Sequence, residues 1–308
     1  MACCVNLPVM PMPFYSGCFE LSTRDSRDGQ PIRSWILYPT ESAPQTQSFG
    51  PYSLPLAMNA EPAGNSLPLV AISHGNGGTP WSHRETALCL AKAGFAVALL
   101  EHTGNCRSDN SQAFRAITLT NRPHQLHCLI NEVAHDSRIG NRVRHDRFSV
   151  IGHSIGGYTA LALAGGQPTS LAQEEEDGIE RTLDVAHDHR VRALVLLAPA
   201  TIWFRAPHSL SSLRLPIFMR TGACDAITPS LHAQIVLEGV ADRLRVEHRI
   251  VENAGHFSFQ SPFPPAMVRA DFPPSQDPPG FDRASYHDQL NGEILDFLRR
   301  VDDEHIES

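Results

Sequence analysis

Three short stretches bring together residue types that could do nucleophilic chemistry. The first is Gly152-His153-Ser154-Ile155-Gly156, a serine with a glycine two positions away on each side. A serine hydroxyl is a poor nucleophile at neutral pH, so it needs a base, and the base needs an orienting acid. The glycines suit a sharp turn from a strand into a helix, where a Cβ at either position would collide with the chain. The second stretch, Ile217 to Asp225, runs from a strand through a glycine-containing turn to a carboxylate, Asp225. The third, Glu252-Asn253-Ala254-Gly255-His256, follows another strand and ends in a histidine. Serine, acid and histidine in this order predict Ser154 as nucleophile, His256 as general base and then acid, and Asp225 as its orienting partner. The chemistry is acyl transfer.

Rivals exist for each partner. Asp242 falls in a helix-to-strand turn expected on the opposite edge of the sheet, and Asp271 in a proline-rich stretch. His232 and His248 lie within a helix and a strand, which leaves His287 as the rival base. The developing oxyanion needs donors, and Ser73-His74-Gly75-Asn76-Gly77-Gly78, directly after a strand, supplies a loop whose amides can approach a substrate closely. The amides of Asn76 and Ile155 are expected to form the hole. No Lys-Ser/Thr follows these glycines, so this is not a phosphate loop. Among the 16 histidines, His187-Asp188-His189 and His124-x-x-His127 have spacings that could ligate a metal. Each offers two histidines without a third partner, so no metal and no cofactor is expected.

The elements that must position these residues follow from short apolar runs. Cys18 to Thr23 and Ile32 to Tyr38 read as an antiparallel pair across the turn Asp25 to Gly29, and Thr40 to Ser66 as a surface loop. Leu67 to Ile72, Phe95 to Leu100, Phe148 to Ile151 and Val191 to Leu197 read as buried parallel strands. Ile217 to Arg220 and Leu244 to Val251 continue the series. Helices are expected at Arg84 to Ala93, Tyr158 to Ala164, Leu231 to Glu238 and Tyr286 to Val301. Alternation of strand and helix predicts an α/β fold, a mostly parallel eight-stranded sheet covered on both faces as a three-layer sandwich. Three loop excursions interrupt it, at 105 to 130, 166 to 190 and 257 to 280. The expectation is a single domain over 1 to 308, with an extended segment at 1 to 16.

Composition narrows the partners. The chain has 308 residues, 42% of them hydrophobic, and a formal net charge of -8, which gives no electrostatic case for nucleic acid or an anionic membrane. No apolar run is long enough to span a bilayer. The seven cysteines (Cys3, Cys4, Cys18, Cys89, Cys106, Cys128 and Cys224) are odd in number and fit reduced thiols. Met1 to Phe14 has no basic residue and is broken by prolines, which does not read as a signal peptide. A cytoplasmic location is expected, with secretion left open if a signal has been removed.

These pieces together resemble the α/β-hydrolase superfamily, and within it the dienelactone-hydrolase-like group that includes the platelet-activating-factor acetylhydrolases. The resemblance runs from about Gly17 to Leu298 and rests on Ile72 to Gly78, Glu101-His102, Asn121-Arg122-Pro123, Gly152 to Gly157 and Ala254 to Phe257. It implies an α/β-hydrolase fold and an oxyanion amide from Asn76, the residue after His74-Gly75. Two departures stand out. The acetylhydrolases resemble an arrangement with the acid after the sixth strand, where this chain has Leu197-Ala198-Pro199-Ala200, whereas Asp225 matches the dienelactone hydrolase placement. Dienelactone hydrolases proper use cysteine where Ser154 stands.

The expected function is a serine hydrolase that cleaves a carboxylic ester or lactone through an acyl-enzyme. Trp81, Trp203, Phe204, Phe257, Phe259 and Phe263 fall in loops expected to ring the crevice, with Trp81, Trp203, Phe257 and Phe259 as substrate-binding residues for a small ester with an apolar portion. Amide, thioester or peptide hydrolysis, or acyl transfer to another acceptor, would use the same triad. A binding protein that keeps the fold without the activity is the alternative of another class. The sequence leaves the oligomeric state open.

Overall fold

The computed structural model describes residues 14–304, so most of the expected N-terminal segment, with Cys3 and Cys4, lies outside the described residues. Tyr15 and Ser16, expected in that extended segment, instead open the first strand, β1 (Tyr15–Arg24), which pairs antiparallel with β2 (Pro31–Thr40) from Tyr15↔Thr40 to Arg24↔Pro31. Five further strands carry the parallel part of the sheet: β5 (Leu67–Ser73), β6 (Ala96–Leu100), β7 (Val143–His153), β8 (Val191–Leu197) and β9 (Ile217–Gly222). A sixth, β10 (Val246–Val251), closes its edge against β9.

Thr40 to Ser66, expected as a loop, holds two more strands, β3 (Gln45–Phe49) and β4 (Tyr52–Met58), joined across Gly50-Pro51. The alternation is there: Tyr52, Leu54 and Leu56 are buried while Ser53 and Pro55 face out. Proline and glutamine disguise it as loop composition. Among the described residues the sheet therefore has ten strands, in the order β10-β9-β8-β7-β5-β6-β2-β1-β4-β3.

Along each central strand successive side chains enter opposite cores. Leu69 and Ala71 of β5 join Leu194 and Leu196 of β8 on one face, while Val70 and Ile72 join Val195 and Leu197 on the other. The first face is covered by α2 (Ala116–His135), α3 (Ile155–Leu163) and α4 (Ser230–Gly239), and the second by α1 (Arg84–Lys92) and α5 (Arg283–Glu304). No helix among the described residues is long and apolar enough to cross a membrane. The five described cysteines are free thiols.

Helix α2 overturns part of the excursion expected at 105 to 130. It is 20 residues long and carries Pro123 in its interior. Proline has no amide to give to the carbonyl four residues back. That carbonyl, on Leu119, instead accepts the Tyr158 hydroxyl of α3 at 3.0 Å. A side chain from the neighbouring helix thus replaces the missing bond, and the helix continues. The excursions at 166 to 190 and 257 to 280 hold short 3-10 turns and irregular chain, apart from one bridge between Thr169 and Thr182.

The chain leaves β5 for β6 on one side and returns to β7 on the other, so the connections after β5 and β7 depart to opposite faces. A crevice opens at such a switch point, beyond the carboxyl ends of the strands.

Candidate active site

Ser154 stands at the end of β7, ahead of the first residue of α3, with φ 55° and ψ -123°. A non-glycine residue held there is strained by roughly 1–3 kcal/mol, so the surroundings must enforce it. The Ser154 amide donates to Leu197 O at 3.0 Å, and its carbonyl accepts from Gly157 and Ala200 at 2.8 and 2.9 Å. A Cβ on Gly152 would run into the Gly156 carbonyl, and one on Gly156 into that of Ser73. Both glycines are required by close approach of backbone to backbone.

Asp225 follows β9 and His256 follows β10, and the two meet. His256 Nδ1 lies 2.9 Å from Asp225 Oδ2, with both side chains buried. Asp225 Oδ1 accepts the amides of Ile227 and Thr228 at 2.9 and 2.8 Å, and Oδ2 also accepts the Thr228 hydroxyl at 2.7 Å. Burial pushes this carboxyl up, but the His256 hydrogen bond and charge and the Thr228 donors outweigh it and hold it below its usual value. In the neutral ring, an ionised carboxylate on Nδ1 fixes that nitrogen as donor and leaves Nε2 as acceptor. A second tie comes from His153, whose Nε2 lies 2.9 Å from the His256 carbonyl.

Ser154 and His256 line one pocket of about 490 Å³. Ser154 Oγ makes no hydrogen bond among the described residues, and such contacts commonly tighten only around a substrate. Gly75, Asn76 and Ile155 border the same pocket. As the first residue of α3, Ile155 has no acceptor for its amide within the helix, and no backbone carbonyl among the described residues accepts from the Asn76 amide. Two donors are thus available beside Ser154.

Of the six aromatics expected to ring the crevice, two border the pocket. Trp203 and Phe257 line the pocket. Trp81 does not: it is buried against Trp35 and Phe49, at ring distances of 5.4 and 4.1 Å, on the side of the β3–β4 hairpin that was expected to be loop. Phe259 is fully buried against Tyr286, Phe204 packs on Tyr158, and Phe263 lies between Tyr52 and Phe272. Their place is taken by residues the sequence did not single out, Phe114, Leu119, Leu171, Ile202 and Ile227. Phe114 and Leu119 belong to the segment whose helix was missed. Leu171 comes from the acidic excursion, together with Glu174, whose carboxylate accepts the Trp203 indole N–H at 2.9 Å.

None of the rival residues makes a side-chain hydrogen bond with Asp225 or Ser154 among the described residues. Asp242 caps the 3-10 turn at Arg243–Arg245 and Asp271 is exposed beside Arg269. His232 borders the same pocket, but its Nδ1 accepts the Thr201 amide at 2.8 Å; His248 lies 2.9 Å from the Thr221 hydroxyl, and His287 is buried on α5 outside the pocket. Of the histidines with ligand spacing, His124 turns to Asp25 and His127 to Asp188, while His187 faces the Gly166 carbonyl. Asp25, His124 and Cys128 do bring three ligand atoms within 4.8 Å. Arg27, however, already pairs with both oxygens of Asp25, at 3.0 and 2.7 Å.

A family model described as alpha/beta hydrolase fold matches residues 68–221, half of the chain, from β5 to β9. The match takes in the loop after β5 and the turn at Ser154 and stops short of Asp225 and His256. No curated protein matches the chain.

Proposed function

The chain belongs to the α/β-hydrolase fold family, and on that premise we propose that it is a serine hydrolase acting on a carboxylic ester or lactone with an apolar portion. The observation that carries the reading is the buried His256–Asp225 pair, 2.9 Å apart, opening onto the same pocket as the strained turn that presents Ser154.

Ser154 Oγ attacks the carbonyl carbon while His256 Nε2 takes its proton. The tetrahedral oxyanion is received by the amides of Asn76 and Ile155, each worth on the order of 3 kcal/mol in the transition state. Asp225 stabilises the imidazolium without taking its proton. His256 then protonates the departing alcohol oxygen, leaving an acyl-Ser154, and the same residues activate water to release the acid. Phe114, Leu119, Leu171, Ile202 and Trp203 give the non-reacting part of the substrate an apolar wall. The acid after β9 is the dienelactone-hydrolase-like placement.

A fluorophosphonate probe tests this directly. The wild-type protein should label covalently, and Ser154→Ala should not while keeping its fold by circular dichroism. A folded wild-type protein that never labels would sink the proposal and leave the binding-protein reading.

A further inference from the structure

Arg122, in α2, is among the largest fully buried side chains of the protein, at 1% exposure. Among the described residues its hydrogen bonds all go to neutral oxygens. Nε donates to Thr159 Oγ1 at 3.0 Å, Nη1 to Asn105 Oδ1 at 2.7 Å, and Nη2 to Ser73 Oγ at 3.2 Å and to the His74 carbonyl. Among the described residues no carboxylate pairs with it, and burial lowers its pKa to about 9, which still leaves it charged at neutral pH. An unpaired buried cation is costly, and the protein places it directly behind the loop between β5 and α1.

The contacts lead to one atom group. Asn105, itself 1% exposed, accepts from Arg122 through Oδ1, which fixes its amide orientation and turns Nδ2 toward Asn76 Oδ1 at 2.6 Å and Asn110 Oδ1 at 2.8 Å. Nη2 grips the backbone of the same loop two residues before Asn76, at the His74 carbonyl. Thr159 ties the guanidinium to α3, whose first amide is Ile155. One planar fork therefore spans both segments that carry the oxyanion donors. Only arginine has enough fixed donors to do so.

We propose that Arg122 is a positioning residue that sets the Asn76 amide, through Asn105 and the His74 carbonyl, for the negative charge that develops on the substrate carbonyl oxygen. This rests on the acyl-transfer reading above. Its signature is selective: the ground-state ester gains little from the donors, whereas the tetrahedral state gains much, so kcat falls and KM holds.

The test uses Arg122→Met, Arg122→Lys and Asn105→Ala in the full chain, with circular dichroism to establish folding. The readouts are steady-state hydrolysis of a p-nitrophenyl ester and the rate of fluorophosphonate labelling, since phosphonylation develops charge in the same hole. Arg122→Met should lose about a hundredfold in kcat and in labelling rate at unchanged KM, the range for one lost oxyanion donor. Arg122→Lys, with the charge but not the fork, should lose less. Asn105→Ala should lose roughly tenfold by breaking the middle link. If Arg122→Met fails to fold, the other two variants decide. Wild-type rates of labelling in folded variants, or losses carried by KM alone, would overturn the positioning role and leave the hydrolase reading intact. Absent labelling of the wild type overturns that reading instead.

Discussion

Asp225 receives four hydrogen bonds on two oxygens, two from backbone amides and two from side chains. Asparagine could keep the amides on its oxygen but would turn an NH₂ group toward His256, forcing Nδ1 to accept and Nε2 to carry the proton. That is the wrong tautomer for a base, so Asp225→Asn should lower kcat by about ten-thousand-fold with the fold intact, as read by steady-state kinetics. Near-wild-type turnover would move the acid elsewhere. The meeting of these two side chains was legible in the sequence because Asp225 and His256 each fall just past the end of a strand, in the order acid then histidine after Ser154. Arg122 was not legible as more than part of a family piece. Its burial depends on where α2 lies, and nothing local to Asn121-Arg122-Pro123 says that the side chain points inward.

At the scale of elements, the strands with continuous apolar runs were readable and two disguised elements were not. β4 hides its alternation behind Pro55, and α2 hides behind Pro123, although Leu119, Leu126, Ile130 and Val133 repeat at helical spacing and all are buried. What rescues the helix is a bond from another element, the Tyr158 hydroxyl on the Leu119 carbonyl, which no reading of one segment could find. This substitution of partner makes a quantitative prediction. Tyr158→Phe should leave the carbonyl unpaired and cost about 1–3 kcal/mol in urea unfolding. In a Pro123→Ala background the new amide can take up the carbonyl, so the same change should cost less, giving a coupling of about 1 kcal/mol in the double-mutant cycle. Equal costs in the two backgrounds would mean that Leu119 O is satisfied in some other way. The missed helix also explains the missed pocket wall, since Phe114 and Leu119 border the site only because α2 runs where it does.

For the whole molecule, the abundance of histidine becomes a statement about acid stability. Burial holds His74 and His153 at about 3 and His287 at about 4, and pushes His83 and His102 well below the ordinary value. The unfolded chain protonates all five near pH 6.5, while the folded chain refuses those protons. Stability is therefore full above pH 6.5 and falls as pH drops toward these folded values, because the unfolded state binds more protons throughout that window. Asp225 and Asp25, the latter held at about 2 by the Arg27 hydrogen bonds, withdraw their contributions only below about pH 4. Urea midpoints should fall steeply between pH 6.5 and 4, and a plateau down to pH 5 would contradict this account. The strand order carries a different consequence, for a chain still being made. β7, β8, β9 and β10 join the sheet outward in the order in which they leave the ribosome. Until β10 arrives, the open edge is β9, whose residues Ile217 to Thr221 are all buried in the finished protein. The last strand is polar, with Glu247 and Arg249 ion-paired to Arg300 and Glu293 of α5. A nascent chain halted before Val246 thus displays a sticky edge prone to aggregate and, on the proposed reading, a serine nucleophile without its base.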